Sequence, residues 1–221
     1  MTQKDKKQVA ENKQRKYALD IEKLTFRRAL MSKQAKTLTA QEIRKVLDYV
    51  ATRQHSHRNR IALLLTFYAG LRSKEVASLR YGDVLDGDGK VKAEIYLTAE
   101  QTKGSKTGTV FVSEKLRKEL QAYIAQVPCT NTQDKLIYTQ KKGGEGFTAN
   151  TLTQHFHYLY KRAGINGASS HSGRRTFITN LADKGVGVRV LMALARHANI
   201  STTQVYIDVN EAMQRRAVEL I

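Results

Sequence analysis

Apolar residues recur at helical spacing on both sides of one stretch in which they alternate with polar ones, and few folds fit that arrangement. After the capping box formed by Thr39 and Glu42, the residues Ile43, Val46, Leu47 and Val50 return every three or four positions. A basic turn, "RQHSHRN", ends that helix, and "RIALLLTFYAG" supplies a second, strongly buried one closed by Gly70. Ser73 is placed to cap a short third helix, "SKEVASLR". The period then changes. "DGDGK" reads as a tight turn, "VKAEIYLTA" alternates, and "TGTVFV" can pair back across the polar loop "EQTKGSK". Ser113 caps a further amphipathic helix with Leu116, Leu120, Tyr123, Ile124 and Val127 inward, and "KLIYT" is placed as one more short strand. Helix resumes in "NTLTQHFHYLYKRAG", with Leu152, Phe156 and Leu159 on one face. It continues in a segment starting at Ser169 or Ser170, in "VGVRVLMALARH" and in a last amphipathic stretch, "NEAMQRRAVELI". The pattern predicts a mainly α fold with a small antiparallel β-sheet, an α+β domain, and a single proline in 221 residues suits it.

Charge narrows the partners. A net charge of +18 and a pI near 10.0 describe a surface that attracts a polyanion, and nucleic acid is the first reading. The excess is spread, with 11 basic and 4 acidic residues in Met1–Lys36 and 27 basic and 16 acidic in the remainder. Residues 1–36 hold few strong hydrophobes, and Tyr17, Ile21, Leu24 and Met31 fall near one face of a helix that is charged elsewhere. That segment reads as a basic arm, and 37–221 as the domain. No run of about 18 apolar residues is present to cross a bilayer, nor is there an apolar signal core at the start, so the expected compartment is the cytoplasm. One cysteine, Cys129, excludes an internal disulfide and a Cys-rich zinc site.

Several residues could do chemistry. In "HSGRRTF", His171 and Arg174 are three apart and share a helix face, so an imidazole and a guanidinium can address one anion. Arg72 sits between a helix-ending glycine and a helix-starting serine, where a loop arginine can aim into a cleft. Near the end, "LARHANISTTQVYIDV" sets Tyr206 nine residues after His197. Only about one phenol in a thousand is ionised at neutral pH, so a reactive tyrosine needs helpers.

Taken in order, "AGLRxxE…L", a hairpin lysine, "HxxR" and then "H-x8-Y" resemble the catalytic domain of the tyrosine recombinase (phage integrase) family. The resemblance runs from about Thr37 to Ile221 and rests on "GLRSKEVASLRYGDV" and "HSGRRTFITNLADKGV…LARHANISTTQVYIDV". It implies a site-specific DNA recombinase that cuts and rejoins strands through a covalent 3′-phosphotyrosyl intermediate. Tyr206 would attack the scissile phosphate while Arg72 and Arg174 hold its non-bridging oxygens, and those cations favour the phenolate. His171 would serve as general base or phosphate ligand, His197 as a hydrogen-bond donor, and a hairpin lysine as general acid. Lys103 fits the family register best, and Lys106 is the alternative. The family works on double-stranded DNA as a tetramer on paired sites, with accessory DNA-bending proteins in some cases, at the nucleoid and without membrane contact.

No cofactor or metal is called for, because the arginines, histidines and lysine supply the positive charge that Mg²⁺ supplies elsewhere. "DVLDGDGK" lacks the ligand offsets of a calcium loop, "HFH" and "HSH" lack further clustered ligands, and "KKGGEG" lacks the setting of a phosphate cradle. Two departures stand out. Only the short arm precedes Thr37, where the family usually carries a separate helical core-binding domain, so either a compact member or a truncated fragment is expected, the initial methionine favouring the former. Arg196 replaces the small residue of the usual "LGH", and could perturb the turn or add a phosphate contact. The terminal segment, with Met213, Val218, Leu220 and Ile221, could dock on a neighbouring protomer or pack in cis. Alternatives kept open are a type IB topoisomerase-like activity and a recombinase-derived DNA-binding accessory protein that no longer cuts.

Overall fold

A computed structural model describes residues 35–102, 104, 106–127, 130–140, 146–207 and 211–219, with the side chains at 211–213 and 216 outside the description. The expected arm therefore falls outside it as far as Gln34, and so do Cys129, Lys103, Leu220 and Ile221. Ten helices and a two-stranded sheet are described, in the order α1 (Ala40–Ala51), α2 (Ser56–Ala69), α3 (Ser73–Ser78), α4 (Tyr81–Val84), β1 (Glu94–Leu97), β2 (Gly108–Phe111), α5 (Glu114–Gln126), α6 (Ala149–Arg162), α7 (Ser172–Asp183), α8 (Val188–Ala195), α9 (Ile200–Gln204) and α10 (Glu211–Val218). The fold is mainly helical with a small antiparallel sheet, as the periodicity predicts.

The hub is α2. Its residues Ile61 to Leu65 are all buried, so it is apolar on every side, as a helix surrounded by others must be. It packs against α1, α3, α5 and α7. Capping follows the sequence closely at two places: Thr39 and Glu42 form the reciprocal box at the start of α1, and the Ser113 hydroxyl accepts from the Leu116 amide at the start of α5. Strand β1 pairs with β2 in the register Glu94↔Phe111 to Leu97↔Gly108. A two-stranded hairpin is marginal by itself. Here Ile95, Leu97 and Val110 point into the core, and α4 packs on β1.

Four local expectations are corrected. Helix α2 begins at Ser56, so His57, Arg58 and Asn59 of the presumed turn are helical. Buried Arg58 is accommodated by the Asn59 side chain, the Tyr138 carbonyl and the rings of Tyr138 and Phe147. Ser73 does not cap α3: Arg72 holds the N-cap position, and the Glu75 carboxylate accepts its amide. Helix α7 begins at Ser172, because Ser169 and Ser170 form the preceding turn, in which the Ser169 amide donates to the Ser172 hydroxyl. The segment "KLIYT" makes isolated bridges, Lys135 to Arg80 and Tyr138 to Gly146, and no ladder. Among the described residues no helix is long and apolar enough to cross a membrane.

Candidate active site

The site grows from two helix carboxyl ends that meet. The last carbonyls of a helix have no partners within it and carry a partial negative charge, so they attract cations. Helix α2 ends at Gly70, whose φ of 61° suits glycine; an added Cβ would also lie 2.5 Å from the Phe177 ring. Helix α8 ends at Arg196, which takes the left-handed conformation with φ 52° and ψ 46°. Arginines fill the space between these ends. Arg174, only 5% exposed, donates to the Gly70 carbonyl at 2.5 Å and to the Ala195 carbonyl. Arg72 donates to the Arg196 carbonyl at 3.2 Å, and Arg196 to that of Leu194 at 3.1 Å. Burial, and next the charge of Arg72, pull the Arg174 pKa down to about 9, which still leaves a cation at neutral pH.

One carboxylate balances them. Glu75, with no exposure at all, accepts from the Arg72 guanidinium at 2.7 Å, from the Arg72 amide at 2.8 Å and from Arg196 at 2.7 Å. Burial alone would raise its pKa, but Arg196 and Arg72 outweigh that and hold it below the usual carboxylate range. Three guanidinium groups against one carboxylate leave the cluster with a surplus of positive charge, which is what a phosphate group requires.

The close approach of α7 to α2 is what carries Arg174 to Gly70. It depends on Gly173: a Cβ there would fall 1.9 Å from the Thr66 hydroxyl and 2.8 Å from its Cβ. Thr66 is buried, and its hydroxyl is already bound to the Leu63 carbonyl.

His197 and Tyr206 lie together, their rings stacked with centroids 5.8 Å apart. The His197 Nδ1 is 2.9 Å from the hydroxyl of fully buried Thr203, which leaves Nε2 for a ligand. Burial, then the charges of Arg174, Arg72 and Arg196, lower its pKa to about 4, so the ring is neutral at pH 7. In the neutral tautomer whose Nδ1 accepts from the Thr203 hydroxyl, the proton sits on Nε2 and the ring is a hydrogen-bond donor. Tyr206, at the turn after α9, is half-buried, and the Arg175 guanidinium stands 5.2 Å from its ring centroid.

The remaining candidates are placed differently. His171 is the N-cap of α7 and exposed, one turn before Arg174. Lys103 lies outside the described residues. Lys106 is exposed and lines an open cleft of about 1080 Å³ between the hairpin and α8, together with Arg72, Arg196 and His197. Arg72, Arg174, His197 and Tyr206 are thus brought together, and the hairpin opens onto the same cleft. Sequence reasoning assigned no role to Glu75, Gly173, Arg175 or Thr203. Only Glu75 left a signal, as the acid three residues after Arg72 in a helix start. Among the described residues no three His, Cys, Asp or Glu side chains are grouped to hold a metal ion.

Comparison with known proteins bears on the family and the fold. Residues 36–213 match the profile of the phage integrase family. The tyrosine recombinase XerA of Pyrococcus furiosus is 27% identical over 187 residues, covering 83% of this chain and 61% of the relative. A tyrosine recombinase of Pseudothermotoga lettingae is 30% identical over 173 residues, covering 78% and 56%. The chain therefore spans less than two thirds of the length of the curated relatives it matches. Among solved structures, XerA recombinase superposes with a TM-score of 0.65 at 23% identity, over 84% of this chain and 64% of that one. The catalytic domain of bacteriophage HP1 integrase gives 0.58 at 20% identity, over 84% and 95%. XerH site-specific recombinase bound to its difH substrate gives 0.58 at 22% identity, over 82% and 53%.

Proposed function

The chain belongs to the phage integrase family, and from that premise we propose that it is a site-specific recombinase that cuts and rejoins double-stranded DNA, with residues 37–221 as its catalytic domain. The observation that carries the reading is the meeting of two arginines from distant elements, Arg72 and Arg174, beside a histidine stacked on a tyrosine. Relatives solved on DNA, XerH on difH among them, support the choice of substrate.

In the reaction the Tyr206 hydroxyl attacks the scissile phosphorus in line with the 5′ oxygen. The bond from phosphorus to that oxygen breaks, the 3′ end stays on the tyrosine as a phosphodiester, and the 5′ hydroxyl leaves with a proton from the hairpin lysine, Lys103 or Lys106. Arg72 and Arg174 bind the non-bridging oxygens, where charge gathers in the transition state. Neutral His197 donates from Nε2 to the same phosphate, and His171 takes the phenolic proton or contacts the phosphate. Attack by another 5′ hydroxyl runs these steps backward and needs no ATP. Four protomers act on two paired sites at the nucleoid, and the terminal segment containing α10 either docks on a neighbour or packs in cis.

The test is a duplex with a nick beside the cleavage site, incubated with protein in chelator. A covalent protein–DNA adduct is expected, and Tyr206→Phe should abolish it while leaving binding intact. Absence of any adduct on sites that the protein binds specifically would refute the reading. Rejoining to a second site separates recombination from relaxation of the same strand.

A further inference from the structure

Arg196 directly precedes His197 at the end of α8, and the structure shows what the arginine does. Its backbone is left-handed, a conformation that costs a residue with a side chain roughly 1 kcal/mol more than glycine. Its side chain, 11% exposed, turns inward: Nη2 reaches Glu75 at 2.7 Å, Nη1 reaches the Leu194 carbonyl, and Nε is buried. The hairpin is fitted around it. A Cβ at Gly108, the first residue of β2, would lie 2.7 Å from the Arg196 Cδ. Its two terminal nitrogens are thus turned onto acceptors within the protein, although the residue borders the cleft.

Its effect falls on Arg72. Both oxygens of Glu75 are engaged, Oε1 by Arg72 at 2.7 Å and Oε2 by Arg196 at 2.7 Å. Without Arg196 the buried carboxylate would have Arg72 as its sole ion-pair partner, and that pair would be neutral. With it, the charge of Glu75 is shared and a full positive charge remains in the trio.

We propose that Arg196 is a positioning residue for strand cleavage, neutralising Glu75 so that the charge of Arg72 remains available to the scissile phosphate. The inference rests on the recombinase reading and deepens it.

The experiment measures single-turnover adduct formation on the nicked duplex, affinity for uncut duplex, and thermal melting. It uses wild type, Arg196→Gln, Arg196→Lys, and Arg196→Gln combined with Glu75→Gln. Arg196→Gln keeps the stem beside Gly108 as far as Cδ and removes the guanidinium with its charge and its bond to Leu194; it should slow adduct formation about tenfold or more, with duplex affinity unchanged within about twofold. Arg196→Lys should retain most of the rate. The double variant should recover to within about threefold of wild type, because no carboxylate is left to claim Arg72. A double variant as slow as Arg196→Gln, or an Arg196→Gln that cuts like wild type, overturns the proposal. If Arg196→Gln melts below the assay temperature, Arg196→Lys decides: a folded lysine variant that cuts tenfold slower also overturns it. Wild type that forms no adduct removes the recombinase reading itself, so the two failures are distinct.

Discussion

Replacing Gly173 with alanine should both destabilise the fold and disable the site, and the size of each effect follows from one contact. In a solvated helix the change is favourable by about 1 kcal/mol, since alanine is the better helix former. Here the new Cβ would sit 1.9 Å from the Thr66 hydroxyl and 2.8 Å from its Cβ, whereas ordinary contact begins at 3.4 Å. Thr66 is buried and bonded to the Leu63 carbonyl, so α7 must retreat from α2 by an amount on the order of 1 Å or more. Overpacking of this kind costs about 1–3 kcal/mol and occasionally more. At the upper end of that range, where so short a contact falls, the net loss after the helix-forming gain is about 2 kcal/mol, which lowers the melting midpoint of a domain this size by about 4–8 °C. Arg174, the next residue, moves with the helix, away from the Gly70 carbonyl it holds at 2.5 Å. A displacement of about 1 Å in a phosphate-binding group costs on the order of a hundredfold in rate. Calorimetry and the nicked-duplex assay read the two effects. Adding Thr66→Ala, which removes the nearest atom, should restore part of both. A Gly173→Ala protein that melts at or above wild type would refute the reasoning, since the sign reports which effect dominates.

Two further outcomes follow from electrostatics. His155 is held neutral, its pKa lowered to about 4 by burial and then by Arg58, while its Nε2 contacts Asn59 at 2.9 Å. The unfolded chain takes up that proton first, so stability is full above about pH 6.5 and declines as pH falls toward 4. His155→Gln should make the decline of the melting midpoint over that window shallower, and an unchanged slope would count against it; His197 contributes in the same direction and leaves a residual slope. Binding to duplex should weaken by about a hundredfold or more between 50 and 200 mM salt, as Lys and Arg contacts release counterions. A flat response in a filter-binding or anisotropy titration would remove the argument from charge.

What the sequence disclosed was mostly local. Thr39 with Glu42 marks a helix start within four residues, and Gly70 marks a helix end; both signals act through neighbouring backbone, and the structure bears both out. The alternating stretch likewise yields β1 and β2, because period two has one local cause. Ser73 misled, since Arg72 takes the N-cap position one residue earlier and the Glu75 carboxylate accepts its amide, which leaves Ser73 as the first helical residue. The hidden part was long-range. Nothing near Gly173 announces Thr66, more than a hundred positions away, and nothing near Arg196 announces Glu75. Arg72, Arg174, His197 and Tyr206 were singled out because their motifs together resemble those of a known family, and their convergence is a property of the packed chain.

The arginines of this pocket are seated chiefly on main-chain oxygens, at Gly70, Leu194, Ala195 and Arg196. Every residue type offers a carbonyl, so mutation of the side chains around the pocket can proceed for a long time without unseating the cations. Outside the few side chains that set the spacing and the charge, Gly173 and Glu75 foremost, a lineage built this way is free to drift in its walls, and distant kin are better sought by how two helix tips abut than by which amino acids happen to surround them.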